Sequence, residues 1–163
     1  MDICLIWANA RNRANTDHSG SWLGTDDLRR FHLLTERHPV LMGARTFEAI
    51  PRQLLAGRQT FVLTQTRTSI PGAVACTSLH EAFTLASVLR SGKLFLLGGT
   101  TVYEQGLRVA DRLYVANFDP QGGSEQILLP QIDPRMFELV SEDRTRSMGP
   151  DRLFQEYRRR RYH

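Results

Sequence analysis

The order of apolar and polar residues predicts an α/β fold. A central, mostly parallel sheet of about eight strands carries helices on both faces and an antiparallel edge at its C-terminal end. Three observations point to it. Short apolar runs such as Val40-Leu41-Met42 and Leu94-Phe95-Leu96-Leu97 have the composition of buried strands. Helical segments separate most of these runs, as parallel pairing through crossovers requires. The last two β-type segments, 137–142 and 153–162, follow one another without a helix, so they pair antiparallel.

Residues 3–8 form the first apolar run, and 9–20 are polar without periodicity, hence a loop. Thr25 is a good N-cap for a helix reaching about residue 37, where His38-Pro39 stops it. Its buried stripe is Leu28, Phe31 and Leu34; Asp27 lies beside the stripe, and Asp26 falls on the other side with Arg29 and Arg30 as ion partners. Strand 40–42 leads through Gly43 into a short helix ending at Ile50, before Pro51. Segments 59–64 and 73–76 are the third and fourth strands. Ser78 and Glu81 have capping-box spacing ahead of a helix whose face is Leu79, Ala82, Phe83, Ala86 and Leu89. A fifth strand, 93–97, runs into Gly98-Gly99; Thr101 and Glu104 repeat the capping-box spacing, and 112–118 is a further strand.

At 163 residues the chain suits one domain, 1–163, able to bury a core without staples. A hydrophobic fraction of 41% and a charged fraction of 23% are those of a soluble protein, and no apolar run reaches membrane-spanning length. No basic stretch precedes the first apolar run, and Cys4 and Cys76 lack metal-type spacing, so a cytoplasmic setting with structural thiols is expected. The formal charge of +4 comes from arginines, since Lys93 is the only lysine. Arg158 to Arg161 are the only dense basic run; with no nucleic-acid module beside it, a charged last strand explains it better. No nucleic-acid or membrane partner is expected.

Four constellations could carry chemistry. Leu97-Gly98-Gly99-Thr100-Thr101-Val102-Tyr103 is a strand end that opens a helix, so backbone can approach a ligand and helix N–H groups can face an anion. A tight structural turn would look the same. Gly43-Ala44-Arg45-Thr46 repeats that geometry, and two such turns could clasp the ends of a dinucleotide. Arg52 and Arg58 flank the apolar Leu54-Leu55, an arrangement able to hold a carboxylate over a greasy contact, or simply a solvated loop. Asp27 beside an apolar stripe is costly unless hydrogen-bonded or functional, although first-turn aspartates also serve capping. The five histidines show neither metal-ligand spacing nor a Ser-His-Asp pattern. A redox-cofactor or binding role survives better than hydrolysis.

Together these residues resemble dihydrofolate reductase over nearly the whole chain. The likeness rests on Leu5-Ile6-Trp7-Ala8, on Trp22 followed by Asp27, Leu28 and Phe31, and on residues 39–51 around Met42-Gly43 and Thr46-Phe47-Glu48. Leu54, Gly57-Arg58, Leu97-Gly98-Gly99, Val102-Tyr103-Glu104 and Leu113-Tyr114 complete it. The resemblance implies NADPH-dependent hydride transfer to C6 of dihydrofolate with protonation at N5, by a monomer that also binds antifolates. It implies catalytic roles for Asp27 and Trp22, Asp27 meeting the pterin's amino group and ring nitrogen. Ile6, Trp7, Ala8, Phe31, Ile50, Leu54, Leu55, Leu97 and Tyr103 would surround the substrate, with Arg58, assisted by Arg52, on its glutamate carboxylate. The cofactor would lie on Ala8, Gly43, Ala44, Arg45, Thr46, Thr64, Gln65 and Leu97, and across Gly98, Gly99, Thr100, Thr101, Val102 and Tyr103.

Several positions depart from the family pattern. Ala14-Asn15-Thr16 and Ser21 replace the usual Ile-Gly pair and proline of the loop before Trp22, and Ala44 replaces a basic residue for the cofactor's 2′-phosphate, leaving Arg45, with Arg67 a more distant candidate, to compensate. Ala116 stands where a threonine is usual, and Gln53 and Ala56 replace prolines. The altered loop and Ala116 imply weaker binding of diaminopyrimidine antifolates such as trimethoprim. The alternatives are a reductase of the same fold acting on another pteridine or a pyrimidine intermediate, and a non-catalytic nucleotide-binding paralogue.

Overall fold

Along the chain the elements are β1 (Asp2–Ala10), α1 (Thr25–Thr35), β2 (Val40–Gly43), α2 (Ala44–Ala49), a 3-10 turn (Arg52–Leu55), β3 (Thr60–Leu63) and β4 (Val74–Cys76). There follow α3 (Leu79–Ser87), β5 (Lys93–Leu96), α4 (Thr100–Val109), β6 (Arg112–Phe118), β7 (Phe137–Thr145) and β8 (Arg152–Arg159). They come from a computed structural model, which describes residues 1–10, 25–66, 69–118, 131–145 and 152–162. The strands form one eight-stranded sheet in the order β4-β3-β2-β5-β1-β6-β8-β7. The six strands from β4 to β6 pair parallel, and β8 pairs antiparallel with β6 and β7. The expected mixed α/β sheet with an antiparallel C-terminal edge is therefore present.

The central strands are apolar throughout because both their faces are covered. Val40, Met42, Cys4, Ile6, Phe95 and Leu97 point to the face carrying Phe31 of α1 and Phe47 of α2. Leu41, Ile3, Leu5, Trp7, Leu94 and Leu96 point to the opposite face, against Leu79, Ala82 and Ala86 of α3 and Val102 and Tyr103 of α4. Alternation along each strand assigns the faces. Burying a large apolar side chain contributes about 1.5–3 kcal/mol, so the two clusters account for most of the drive to fold.

Local signals explain most helix ends. Ser78 Oγ accepts a hydrogen bond from the Glu81 backbone N–H at 3.1 Å, as its spacing predicts. The returning half of the box shifts by one residue: Glu81 Oε2 accepts from the N–H and the hydroxyl of Thr77. Because α3 stops at Ser87, Leu89 leaves the predicted stripe and is exposed. The second predicted box is not made. Helix α4 starts one residue earlier than the Thr101 spacing suggests, with Gly99 as N-cap and no side-chain cap. A positive φ at Gly98 and Gly99 turns strand directly into helix, so no hydroxyl is needed.

Three charged features rest on partners distant in sequence. Arg30 pairs with Asp143 of β7 at 2.7 Å and stacks 3.8 Å from the Phe154 ring centroid, an acceptor 113 residues away that helix spacing could not reveal. Arg159 of the basic run donates to Ala110 O at 2.6 Å and Leu107 O at 2.7 Å, capping the C-terminus of α4. Its neighbours Arg158 and Arg160 both pair with Glu138. The run behaves as a charged last strand.

Gly106 lies inside α4 because α4 lies against the sheet there. A Cβ on it would stand 2.8 Å from Leu96 Cδ2 and 3.2 Å from Leu5 Cδ1, both in fully buried side chains. Gly106→Ala is expected to destabilise the fold by about 1–3 kcal/mol through overpacking, although alanine favours an isolated helix by about 1 kcal/mol. Urea unfolding checks this, and a variant as stable as the parent would refute it.

At the amino ends of the strands, His38 Nδ1 lies 2.7 Å from Ser91 Oγ. That hydroxyl donates to Lys93 O at 2.9 Å, so the imidazole must supply the Nδ1 proton. Burial, with the Lys93 charge second, lowers the pKa of His38 below its ordinary value. The unfolded chain therefore takes up this proton more readily. Stability is expected to be complete above the unfolded imidazole pKa, about 6.5, and to be lost as pH falls through the folded one. Melting temperature against pH, compared with His38→Asn, checks this; identical acid slopes would remove His38 as the cause.

Candidate active site

The carboxyl ends of the parallel strands share one edge, where two glycine turns meet. Beyond β2 the chain moves towards β3, whereas beyond the neighbouring β5 it moves the other way towards β6, so the two strands flank a topological switch point. Open α/β sheets bind ligands in such crevices. Gly43 N–H donates to Gly98 O at 3.1 Å, and Leu97 N–H to Leu41 O at 2.8 Å. A Cβ built on Gly99 would lie 3.7 Å from Gly43 Cα, and one on Gly98 would lie 3.4 Å from both Thr46 Oγ1 and the Tyr103 hydroxyl. Gly43, Thr46, Gly98, Gly99, Val102 and Tyr103 are thus brought together. Thr64 follows β3, whose Leu63 pairs with Gly43, so it stands at the same edge with Gln65 exposed beside it.

Beside that junction the sheet parts. The ladder between β1 and β5 ends at Leu5–Leu96, while β1 continues along β6 as far as Ala10–Phe118. The Tyr103 hydroxyl bridges the opening, 2.9 Å from both Ile6 O and Leu97 O, its single proton shared between two buried carbonyls. Full burial of this phenol raises its pKa well above the ordinary value, so it stays a donor. With Gly99 as N-cap, the N–H groups of Thr100, Thr101 and Val102 have no intrahelical acceptor and face the same edge.

On the α1 side an apolar wall stands beside the opening, made by Ile6, Phe31, Ile50, Leu55 and Leu97 with Leu54 packed against it. Trp7 does not join it. Adjacent strand residues point to opposite faces, and the Trp7 ring lies on the α4 side, edge-on to Tyr103 at 5.8 Å. Its Nε1 has no hydrogen-bond partner among the described residues.

The guanidinium of Arg58 lies at the outer rim of this wall. Nε donates to Thr35 Oγ1 at 2.9 Å, Nη1 to Ala56 O at 2.9 Å and Nη2 to His32 O at 3.3 Å. Nη2 also lies 3.1 Å from His32 Nδ1, and the guanidinium carbon sits 5.7 Å from the Phe31 ring centroid. Partial burial lowers the pKa of Arg58, and the nearby Glu36 opposes that effect. Arg52 is engaged elsewhere: it donates to Phe47 O at 2.9 Å and stacks 3.6 Å from that ring, closing α2. Thr35 and His32 were not legible as partners of Arg58. Thr35 is fully buried and also donates to Phe31 O, a double commitment that sequence spacing does not announce.

Arg45 is exposed at the start of α2 and makes no ion pair among the described residues, while Ala44 is half-buried beside it. Asp27 occupies the first turn of α1, with its side chain outside the description, as is that of Ala8 on β1. Trp22 lies outside the described residues.

A family model described as dihydrofolate reductase matches residues 2–159. The chain belongs to the dihydrofolate reductase family. Among its relatives are the dihydrofolate reductase of Mycobacterium leprae, 30% identical over 86% of this chain and 87% of that protein, and the type 3 dihydrofolate reductase of Salmonella typhimurium, 36% identical over 74% of each. The dihydrofolate reductase of Neisseria meningitidis serogroup A is 28% identical over 98% of this chain and 99% of its own. Dihydrofolate reductase likeness therefore extends over both glycine turns, the Phe31 wall and the Arg58 rim.

Proposed function

We propose that this chain reduces 7,8-dihydrofolate to 5,6,7,8-tetrahydrofolate with NADPH. The observation that carries the reading is the Gly43–Gly98 junction beside the parting of β1 and β5, an anion cradle adjoining a slot with an apolar wall. The residues fit a dinucleotide. Positive φ at Gly98 and Gly99 bares backbone, and the uncapped start of α4 directs amide dipoles at phosphate oxygens. Gly43 to Thr46 would hold the other side of the pyrophosphate, Thr64 and Gln65 the adenosine, and Arg45 the 2′-phosphate in place of Ala44. When bound, the nicotinamide supplies the hydride.

The protein orients and polarises the substrate. Phe31, Leu54 and Leu55 sandwich its aryl group, and Arg58 takes the glutamate carboxylate, presented by Thr35. Asp27 accepts from the pterin's amino and ring N–H groups and favours the protonated, hydride-accepting ring, so that the proton is held at N5 while C6 is reduced. Trp22 joins Asp27 in the proposed catalytic role. Buried thiols, Cys4 pushed up to about 12 by burial, suit a reducing cytoplasm, and one sheet spanning the chain suits a monomeric single domain. The test follows the near-ultraviolet absorbance of reduced nicotinamide with dihydrofolate added, using NADPH and then NADH. Oxidation dependent on dihydrofolate supports the reading, and NADPH binding without oxidation would overturn it.

A further inference from the structure

Trp7 is only 1% exposed, yet its indole N–H has no hydrogen-bond acceptor among the described residues. A buried donor without a protein acceptor costs stability, and phenylalanine at the same place would avoid that cost. What the indole adds over a phenyl ring is size, and its place in the fold gives that size a task. Trp7 lies two residues past Leu5, the last residue of β1 to pair with β5, and in register with the buried Val115 of β6. It therefore stands behind the opening on the α4 side, edge-on to Tyr103 with ring centroids 5.8 Å apart and planes at 65°.

Tyr103 is held from three directions. Its hydroxyl lies 2.9 Å from Ile6 O, on the residue before Trp7, and 2.9 Å from Leu97 O, just past β5. The third contact is the indole. One phenol proton cannot satisfy both carbonyls fully, so hydrogen bonding alone does not fix where the hydroxyl sits between them. A rigid ring against the phenol removes that freedom. We infer that Trp7 is a positioning residue: its indole braces the Tyr103 phenol between the two carbonyls, and so keeps the ends of β1 and β5 at the spacing that orients the nicotinamide ring. The inference rests on the reading that this opening receives that ring. Reacting atoms must be held about 3–3.5 Å apart, and a misplacement of about 1 Å costs up to about a hundredfold in rate. Trp7 thus acts on the reaction through Tyr103.

Trp7→Phe is expected to slow single-turnover hydride transfer about tenfold and to weaken NADPH binding about three- to tenfold. Binding of 2′-phospho-ADP-ribose, the cofactor without its nicotinamide, should stay at the parental affinity, because the Gly43–Gly98 junction is unaltered. The urea midpoint should stay near the parental value, since the space left by the smaller ring and the relief of the indole N–H oppose each other. In a Tyr103→Phe background no hydroxyl bridges the carbonyls, so Trp7→Phe should add little and the double variant should match Tyr103→Phe alone. Effects that multiply in the double variant overturn the inference, as do equal losses for NADPH and for the fragment. Trp7→Met, which refills the space with a flexible chain, gives the same comparison if phenylalanine leaves the core too loose to fold. If the parent binds NADPH no more tightly than the fragment, the reading that the opening receives the nicotinamide fails instead, and the two failures are told apart.

Discussion

Asp27→Asn is expected to lower kcat for dihydrofolate by about 10²–10⁴-fold, the range spanned by loss of a positioned acid–base group, while NADPH affinity stays at the parental value. The substitution keeps the shape of the side chain and removes its charge. An amide offers one acceptor where a carboxylate offers two, and it presents a donor to the pterin's donor edge. It also withdraws the negative charge that favours a protonated ring. The effect is expected to be confined to the substrate because the proposed cofactor contacts come from Gly43 to Thr46 and Gly98 to Val102, whereas Asp27 belongs to the first turn of α1. Single-turnover kinetics together with calorimetric NADPH titration provide the check. Parental turnover by the variant would refute the proposed role of this carboxylate.

Gly99→Ala should act on the other half of the site. Gly99 has φ 93° and ψ 136°, a conformation that a side chain tolerates only under strain of about 1–3 kcal/mol. The residue is also the N-cap of α4 and lies against Gly43, where a new Cβ would meet Gly43 Cα at 3.7 Å. Relief of the strain requires rotation of the turn, and rotation re-aims the first-turn amides of Thr100 to Val102. The expected outcome is a lower urea midpoint and at least about tenfold weaker NADPH binding, equivalent to about 1.4 kcal/mol. Binding loss should exceed what Gly106→Ala produces, since Gly106 is farther along the same helix and packs on Leu96 and Leu5. Equal losses in both variants would mean that general loosening of α4 explains them, not the turn.

Much of this fold could be read from local sequence. Val40-Leu41-Met42 and Leu94-Phe95-Leu96 lack polar positions because each is sandwiched between two helical layers, and such a pattern is written in the strand itself. Ser78 announces α3 because a cap lies within one turn of what it caps. The convergence of Gly43 with Gly98 followed from two glycine-opened helices in one sheet. Pairings between distant segments could not be read in this way. Arg30 finds Asp143, Arg159 finds the end of α4, and Arg58 finds Thr35 and His32 only after strands distant in sequence have docked. Long polar side chains leave no periodic trace of such partners. Trp7 is an exception, since its position next to Ile6 on a strand already assigns the two side chains to opposite faces. The Thr101 capping box failed because glycine pre-empted it.

The Tyr103 bridge has a mechanical consequence. One phenol, rooted in α4, sets how far apart the tips of β1 and β5 stand, through its bonds to Ile6 O and Leu97 O. The same helix presents its uncapped start to the side proposed to take the phosphates. Tyr103 is thus a tie-rod between two halves proposed to bind different molecules: on that reading, a tilt of α4 that accommodates one ligand is transmitted, at the length of a single side chain, to the gap that admits the other.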